Sequence, residues 1–260
     1  MTQFATTAPD GVRIAYESTG GGGRAIMLVH GFASDHVQNW RAPGWYEPLN
    51  NAGFAVVALD CRGHGESDKP HDPKSYGHEK MADDVLAVMD AAGIGEAVLM
   101  GYSMGGYISM SLLLRHPERF SKVIIAGVGA SYLDVEAAQE GTNDPARRAI
   151  IADALLADDP STVTSRTARE FRAFADQAGK DRAALAACMR GNRDSFSETQ
   201  LGASTRPVLV VCGENDLLTG PPGPLAAAFA DGRAVTIPKR DHMTTVGDKL
   251  YKQAVLDFLS

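Results

Sequence analysis

Six runs of four to six apolar residues recur along the chain, at 25–29, 54–59, 97–100, 123–126, 208–212 and 234–237. Each is rich in Val, Ile, Leu and Ala, and each is apolar throughout, but for Thr236 in the last, rather than alternating. A strand with one wet face alternates polar and apolar residues, whereas a strand covered on both faces has no polar side to show. Helix candidates lie between the runs. Residues 78–92 place Met81, Val85, Val88 and Met89 at helical spacing, with Gly93 as a stop; 107–116 ends before Pro117; 247–259 carries Leu250, Val255, Leu256 and Leu259 on one stripe. Strand–helix alternation of this kind predicts an α/β fold, a mostly parallel central sheet with helices on both faces. Residues 4–7 and 13–17 flank the turn signal Pro9-Asp10-Gly11 and predict an N-terminal hairpin.

The alternation breaks between about 131 and 205. That stretch offers helical pieces at 145–157, 162–178 and 181–190 and no convincing strand. So many consecutive helices exceed one crossover, which predicts a helical cap at 131–205 on a core made of 1–130 and 206–260.

Composition narrows the class. With 260 residues, 44% hydrophobic and 22% charged, the chain is long enough for one large α/β domain or two small ones. A net charge of −7 argues against nucleic acid or an anionic membrane as partner, since both call for basic patches. Cys61, Cys188 and Cys212 are odd in number and widely spaced, which suits neither a disulfide framework nor a zinc site and predicts buried free thiols. No cofactor or metal is expected. The N-terminus lacks a basic start and an apolar core, and no apolar run approaches the ~20 residues of a membrane span, so a cytoplasmic protein is expected.

Chemistry enters at Gly101-Tyr102-Ser103-Met104-Gly105, between the apolar run at 97–100 and a helix-like run. A strand, a tight turn on a serine and a helix hold the serine in a strained conformation. The helix points its N–H groups at a site where negative charge develops. With 27 glycines and 15 serines the pentapeptide alone decides little. A serine nucleophile also needs a base, and the base needs an anionic partner. Of the seven histidines only His242 lies beyond the run at 234–237, in the loop 238–242. Two carboxylates follow the run at 208–212: Asp216 is the expected acid and Glu214 its rival, while Asp241, adjacent to His242, reads as a surface carboxylate. Backbone N–H groups of Phe32 and Met104 are the candidate oxyanion donors, with Gly31 allowing close approach. The side chain of His30 is expected to hold its own loop by hydrogen bonding. Trp40 and Tyr102 are candidate substrate-binding residues. Together with Trp45 they also fit the core.

Five stretches in this order resemble the α/β-hydrolase superfamily, in the branch with a histidine-glycine oxyanion motif and a helical cap. They are His30-Gly31-Phe32, Asp60-Cys61-Arg62-Gly63-His64-Gly65-Glu66-Ser67, Gly101 to Gly106, Gly213 to Asp216, and His242. The resemblance implies an α/β-hydrolase fold, the chain order serine, acid, histidine, and a structural role for the stretch from Asp60 to Ser67. It also bears on the reaction. Haloalkane dehalogenases and epoxide hydrolases of this fold carry aspartate at the elbow, where this chain has Ser103, which suits acyl transfer at a carbonyl. The expectation is a small carboxylesterase-like enzyme acting on a small-molecule ester. Enol-lactonase and C–C bond hydrolase chemistry on the same three residues are the alternatives within that class. A non-enzymatic small-molecule receptor of the same fold is the alternative outside it.

Overall fold

The computed structural model describes residues 1–260 apart from 22, 135–143, 178 and 194. The chain opens with β1 (Thr2–Thr7) and β2 (Arg13–Ser18), an antiparallel hairpin turned at Pro9-Asp10-Gly11. Then come β3 (Arg24–Val29), a single π-helical turn at Val37–Arg41, α1 (Tyr46–Asn51) and β4 (Phe54–Leu59). Next are α2 (His78–Ala91), β5 (Ala97–Tyr102), α3 (Met104–Arg115) and β6 (Phe120–Ala126). α2 stops where its apolar stripe stops: Gly93 takes φ 69°, which costs glycine little, and the Ile94 N–H closes back onto the Met89 carbonyl.

A helical insertion separates β6 from β7. It holds α4 (Pro145–Leu156), α5 (Arg166–Ala175), α6 (Arg182–Arg190) and α7 (Glu198–Gly202). Each of these helices begins on a side chain that accepts from its own first-turn N–H groups: Asp144, Ser165, Asp181 and Ser197 in turn. The Ser165 cap explains why α5 starts at Arg166 rather than at 162, where a separate 3-10 turn lies. The expected cap at 131–205 includes 135–143, 178 and 194, which lie outside the described residues.

The chain returns to the sheet through β7 (Val208–Gly213), α8 (Gly223–Ala227), β8 (Gly232–Ile237) and α9 (Lys249–Leu259). The eight strands run β1-β2-β4-β3-β5-β6-β7-β8, with β3 to β8 parallel and the hairpin antiparallel at one edge. One face of the sheet packs on α2, α3 and the insertion, through residues such as Val85, Ile108, Leu112 and Leu155. The other packs on α1 and α9, through Trp45, Leu49, Tyr251 and Val255. Both faces of the central strands are therefore apolar, as their unalternating runs required. β8, expected to be covered too, is largely exposed because it is the edge strand. All three cysteines are free and buried.

From β3 the chain crosses to β4 on one side, and from β5 it crosses to β6 on the other, so the connections diverge between β3 and β5. In an open α/β sheet a crevice forms at the carboxyl ends of such strands. Ser103 follows β5, and the His30 loop follows β3.

Candidate active site

β5 ends at Tyr102 and α3 begins at Met104, so Ser103 alone makes the turn. Its backbone holds φ 53° and ψ −114°, a region L residues rarely adopt. The glycines on either side are a packing requirement. A Cβ at Gly101 would overlap the Gly105 carbonyl and the Ser109 hydroxyl, and one at Gly105 would overlap the Val29 carbonyl of β3. Only glycine lets the first turn of α3 lie this close to both strands.

His242 follows β8 on a loop that two aromatic residues pin from below. The Tyr102 hydroxyl donates to the His242 carbonyl at 2.6 Å, and the Trp45 indole N–H donates to the Val246 carbonyl at 2.8 Å. His242 Nε2 lies 3.0 Å from the Ser103 Oγ, and Nδ1 lies 2.7 Å from Asp216 Oδ2. When Nδ1–H donates to the carboxylate, Nε2 keeps a lone pair for the serine proton. The Asp216 side chain has no exposure, and its Oδ1 accepts the N–H groups of Leu218 at 3.0 Å and Thr219 at 3.2 Å. Burial pushes the Asp216 carboxyl up, but the His242 charge and hydrogen bond, the Thr219 hydroxyl and the Leu218 N–H prevail and hold it below the ordinary carboxylate range. Burial pushes His242 down, and the Asp216 charge outweighs it, so the imidazole titrates above its usual ~6.5.

The rival carboxylates are engaged elsewhere. Glu214 accepts the Lys239 N–H at 2.7 Å. Asp241 caps its own turn, accepting from the N–H groups of Met243 and Thr244 and from the Thr244 hydroxyl.

The loop after β3 aims a backbone N–H. The Gly31 carbonyl accepts the Ser34 N–H at 3.2 Å, and the His30 Nδ1 lies 2.7 Å from it. His30 Nε2 accepts the Cys61 N–H at 2.9 Å, so the proton sits on Nδ1 and is donated to that carbonyl. The N–H of a trans peptide points opposite to its C=O, so the Phe32 N–H is turned away from these partners. Phe32 and Gly31 both line the cavity that contains Ser103. Met104 opens α3, where the N–H has no intrahelical acceptor. Neither N–H meets an acceptor among the described residues.

That cavity has a volume of about 750 Å³. The loops after β7 and β8 supply Leu217, Leu218, Met243 and Val246, and α5 supplies a wall through Phe171 and Phe174. Phe171 meets Phe32 edge-on at 5.8 Å between centroids. Tyr102 lines the cavity, and its hydroxyl is committed to the His242 carbonyl. Trp40 does not line it, which corrects the expectation. Its ring is fully buried on the far face of the sheet, edge-on to Trp45 at 6.0 Å, because the π-helical turn rotates it into the layer that α1 and α9 cover. The sequence reading missed the α5 wall, although Phe171, Phe174 and Gln177 recur at helical spacing and could have marked a cavity face. Among the described residues no three His, Cys, Asp or Glu side chains are placed to share a metal ion.

The stretch from Asp60 to Ser67 is structural. Asp60 accepts the N–H groups of His36 and Glu66, the Ser67 hydroxyl donates to the Asp60 carbonyl, and Arg62 pairs with Asp84 and Asp10.

Known proteins match the same fold. The family model for the α/β-hydrolase fold matches residues 24–149. A dihydrolipoyllysine-residue acetyltransferase component of an acetoin cleaving system, from Cupriavidus necator, is 32% identical over 88% of this chain and 63% of its own length. The chain thus spans just under two thirds of that relative. Among solved structures, a hydrolase from Pseudomonas aeruginosa PA01 superposes with a TM-score of 0.80 at 26% identity, covering 100% of this chain and 98% of that one. A thermophilic esterase from Thermogutta terrifontis, solved with malate bound, gives 0.77 at 26% identity over the same shares. No helix among the described residues is long and apolar enough to cross a membrane. Sheet order, strained elbow and relatives agree, and the chain has the α/β-hydrolase fold.

Proposed function

We propose that the chain hydrolyses carboxylic esters of small molecules through an acyl-enzyme formed on Ser103. The observation that carries this reading is the relay of 3.0 Å and 2.7 Å from Ser103 through His242 to Asp216, opening into a cavity. In the first step His242 Nε2 takes the hydroxyl proton as Ser103 Oγ attacks the ester carbonyl. The N–H groups of Phe32 and Met104 receive the charge that develops on the carbonyl oxygen, and Asp216 stabilises the imidazolium. The imidazolium then gives its proton to the leaving alkoxide. Water, deprotonated by the same imidazole, releases the acid and restores the serine.

The helical insertion acts as a cap in this reading. Its α5 face closes one side of the cavity, excludes water and sets which acyl and alcohol groups fit. An uncharged ester suits the lining better than a carboxylate-bearing lactone or dienoate. Among the described lining residues Arg166 is the only lysine or arginine, and it pairs with Glu170 at 3.0 Å. Multiple turnover of p-nitrophenyl acetate and butyrate by the wild-type protein, lost in Ser103→Ala, tests the proposal. Release of at most one equivalent would instead point to a receptor that traps its ligand.

A further inference from the structure

We infer that Asn39 is a positioning residue for the oxyanion donors, acting through the Gly31 N–H; this rests on the ester-hydrolase reading above. Asn39 lies on the π-helical turn Val37–Arg41, ten residues after the end of β3. Its Oδ1 reaches back and accepts the Gly31 N–H at 3.0 Å. The side chain is buried at 5% exposure and borders the same cavity as Ser103. Its Nδ2 finds no partner among the described residues, so this is the one hydrogen bond the buried amide makes. An apolar residue would fill that space without leaving an amide N–H unpaired, so the acceptor is what the position requires.

The bond sits at a sensitive point. Gly31 packs against the nucleophile: a Cβ there would touch the Ser103 Cβ and the Tyr102 carbonyl at van der Waals distance, 3.4 Å. Two consecutive peptides then define where the Phe32 N–H points. The first, between His30 and Gly31, is held by Asn39 through its N–H. The second, between Gly31 and Phe32, is held through its carbonyl by Ser34 and His30. Ala33, next in line, holds φ 57°, so the loop is bent into a conformation it would leave if a clamp were removed. The π-helical turn adds the residue that brings Gln38 and Asn39 to the cavity and turns Trp40 into the core. Its start is fixed by Asp35, whose carboxylate accepts the Gln38 N–H at 2.7 Å and whose carbonyl accepts the Asn39 N–H at 2.9 Å.

Releasing the clamp should let the Phe32 N–H drift from the oxyanion position while the ester still enters the cavity. Loss of one oxyanion donor lowers kcat by about 10²–10³, and a donor displaced but present should lose about 10–100-fold. The test compares wild type, Asn39→Ala and Asn39→Asp with p-nitrophenyl butyrate and with a trifluoromethyl ketone, which forms a hemiketal oxyanion on the serine. Asn39→Leu, close in volume and without an acceptor, replaces the alanine variant if that variant does not fold. The expected result for Asn39→Ala or Asn39→Leu is a kcat 10–100-fold lower, a KM within about threefold, and ketone affinity lowered in step with kcat/KM. Asn39→Asp, which keeps an acceptor on the Gly31 N–H, should recover at least a third of the lost factor on a logarithmic scale. Unchanged kcat and ketone affinity in a folded acceptor-less variant would overturn the inference, as would a loss carried by KM alone or an aspartate variant no better than alanine. Failure of the ester-hydrolase reading looks different: wild type itself would neither turn over the ester nor bind the ketone.

Discussion

Two histidines in this molecule pair through Nδ1 with an aspartate at nearly the same distance. His242 Nδ1 lies 2.7 Å from Asp216, and His36 Nδ1 lies 2.8 Å from Asp60. His36 is buried and His242 part-buried, and both titrate above ~6.5. In each, burial pushes the value down and carboxylates outweigh it. The difference lies at the second nitrogen. His242 Nε2 faces a serine hydroxyl at the floor of a cavity. His36 Nε2 faces the Glu17 carboxylate at 3.6 Å, with Asp35 also nearby and Arg41 holding the other Glu17 oxygen at 2.9 Å. A neutral imidazole beside a hydroxyl can act as a base. An imidazolium between two carboxylates is a structural cation. A His–Asp pair is thus no signature of catalysis until the third partner and the access to substrate are known.

The largest effect should come from breaking the first pair. His242→Ala is expected to lower kcat by about 10⁴ or more with little change in Tm, because the serine loses its base. A drop below tenfold in steady-state turnover would remove His242 from the proposed mechanism. The pH profile sharpens this. Catalysis needs the neutral imidazole, so activity should be full above the raised His242 value. It should fall about tenfold per unit as pH drops below a midpoint that itself lies above ~6.5. Next in size, Asp216→Asn should cost about 10³–10⁴ in kcat, and Glu214→Gln no more than about twofold, since Glu214 is occupied by the Lys239 N–H. The reverse ranking would exchange the acids.

Breaking the second pair should read out in stability. His36→Gln is expected to cost about 3 kcal/mol, measured by denaturant unfolding, with kcat within tenfold of wild type. The pH sign is opposite to that of activity at His242. The folded His36 value is raised, so its stabilisation is complete below ~6.5 and fades as pH rises through that folded value. The difference between wild type and His36→Gln should therefore shrink at alkaline pH, and a difference that grew would show a neutral His36. The smallest expected effect belongs to the cavity wall. Phe174→Ala should shift the ranking among acetate, butyrate and octanoate esters by about 3- to 10-fold and leave the pH profile in place.

Much of this was legible in the chain, for reasons that are local. The apolar runs named the strands, and the parallel sheet placed the residues after β5, β7 and β8 at one edge. That is why Ser103, Asp216 and His242 could be chosen together. The choice between Asp216 and Glu214 depended on the turn after β7. There Asp216 is fixed by the Leu218 and Thr219 N–H groups, while Glu214 is drawn to Lys239. Trp40 was misplaced because a single π-helical turn rotates it by a fraction of a turn, a distortion no periodicity announces. Asn39 was invisible for a related reason: its bond joins it to a glycine eight positions back, and nothing in either residue type implies the other. The His36–Asp60 pair was unreadable in the same way, since His36 precedes its aspartate by 24 residues and no chain order joins them.

The most direct test is intact-mass and peptide analysis after treatment with a fluorophosphonate at pH 8. If Ser103 is the nucleophile, one equivalent adds to the tryptic peptide containing it, hydrolysis stops in proportion, and Ser103→Ala neither reacts nor turns over. Modification of any other residue, or an Ser103→Ala protein that still hydrolyses p-nitrophenyl butyrate at the wild-type rate, would contradict the mechanism.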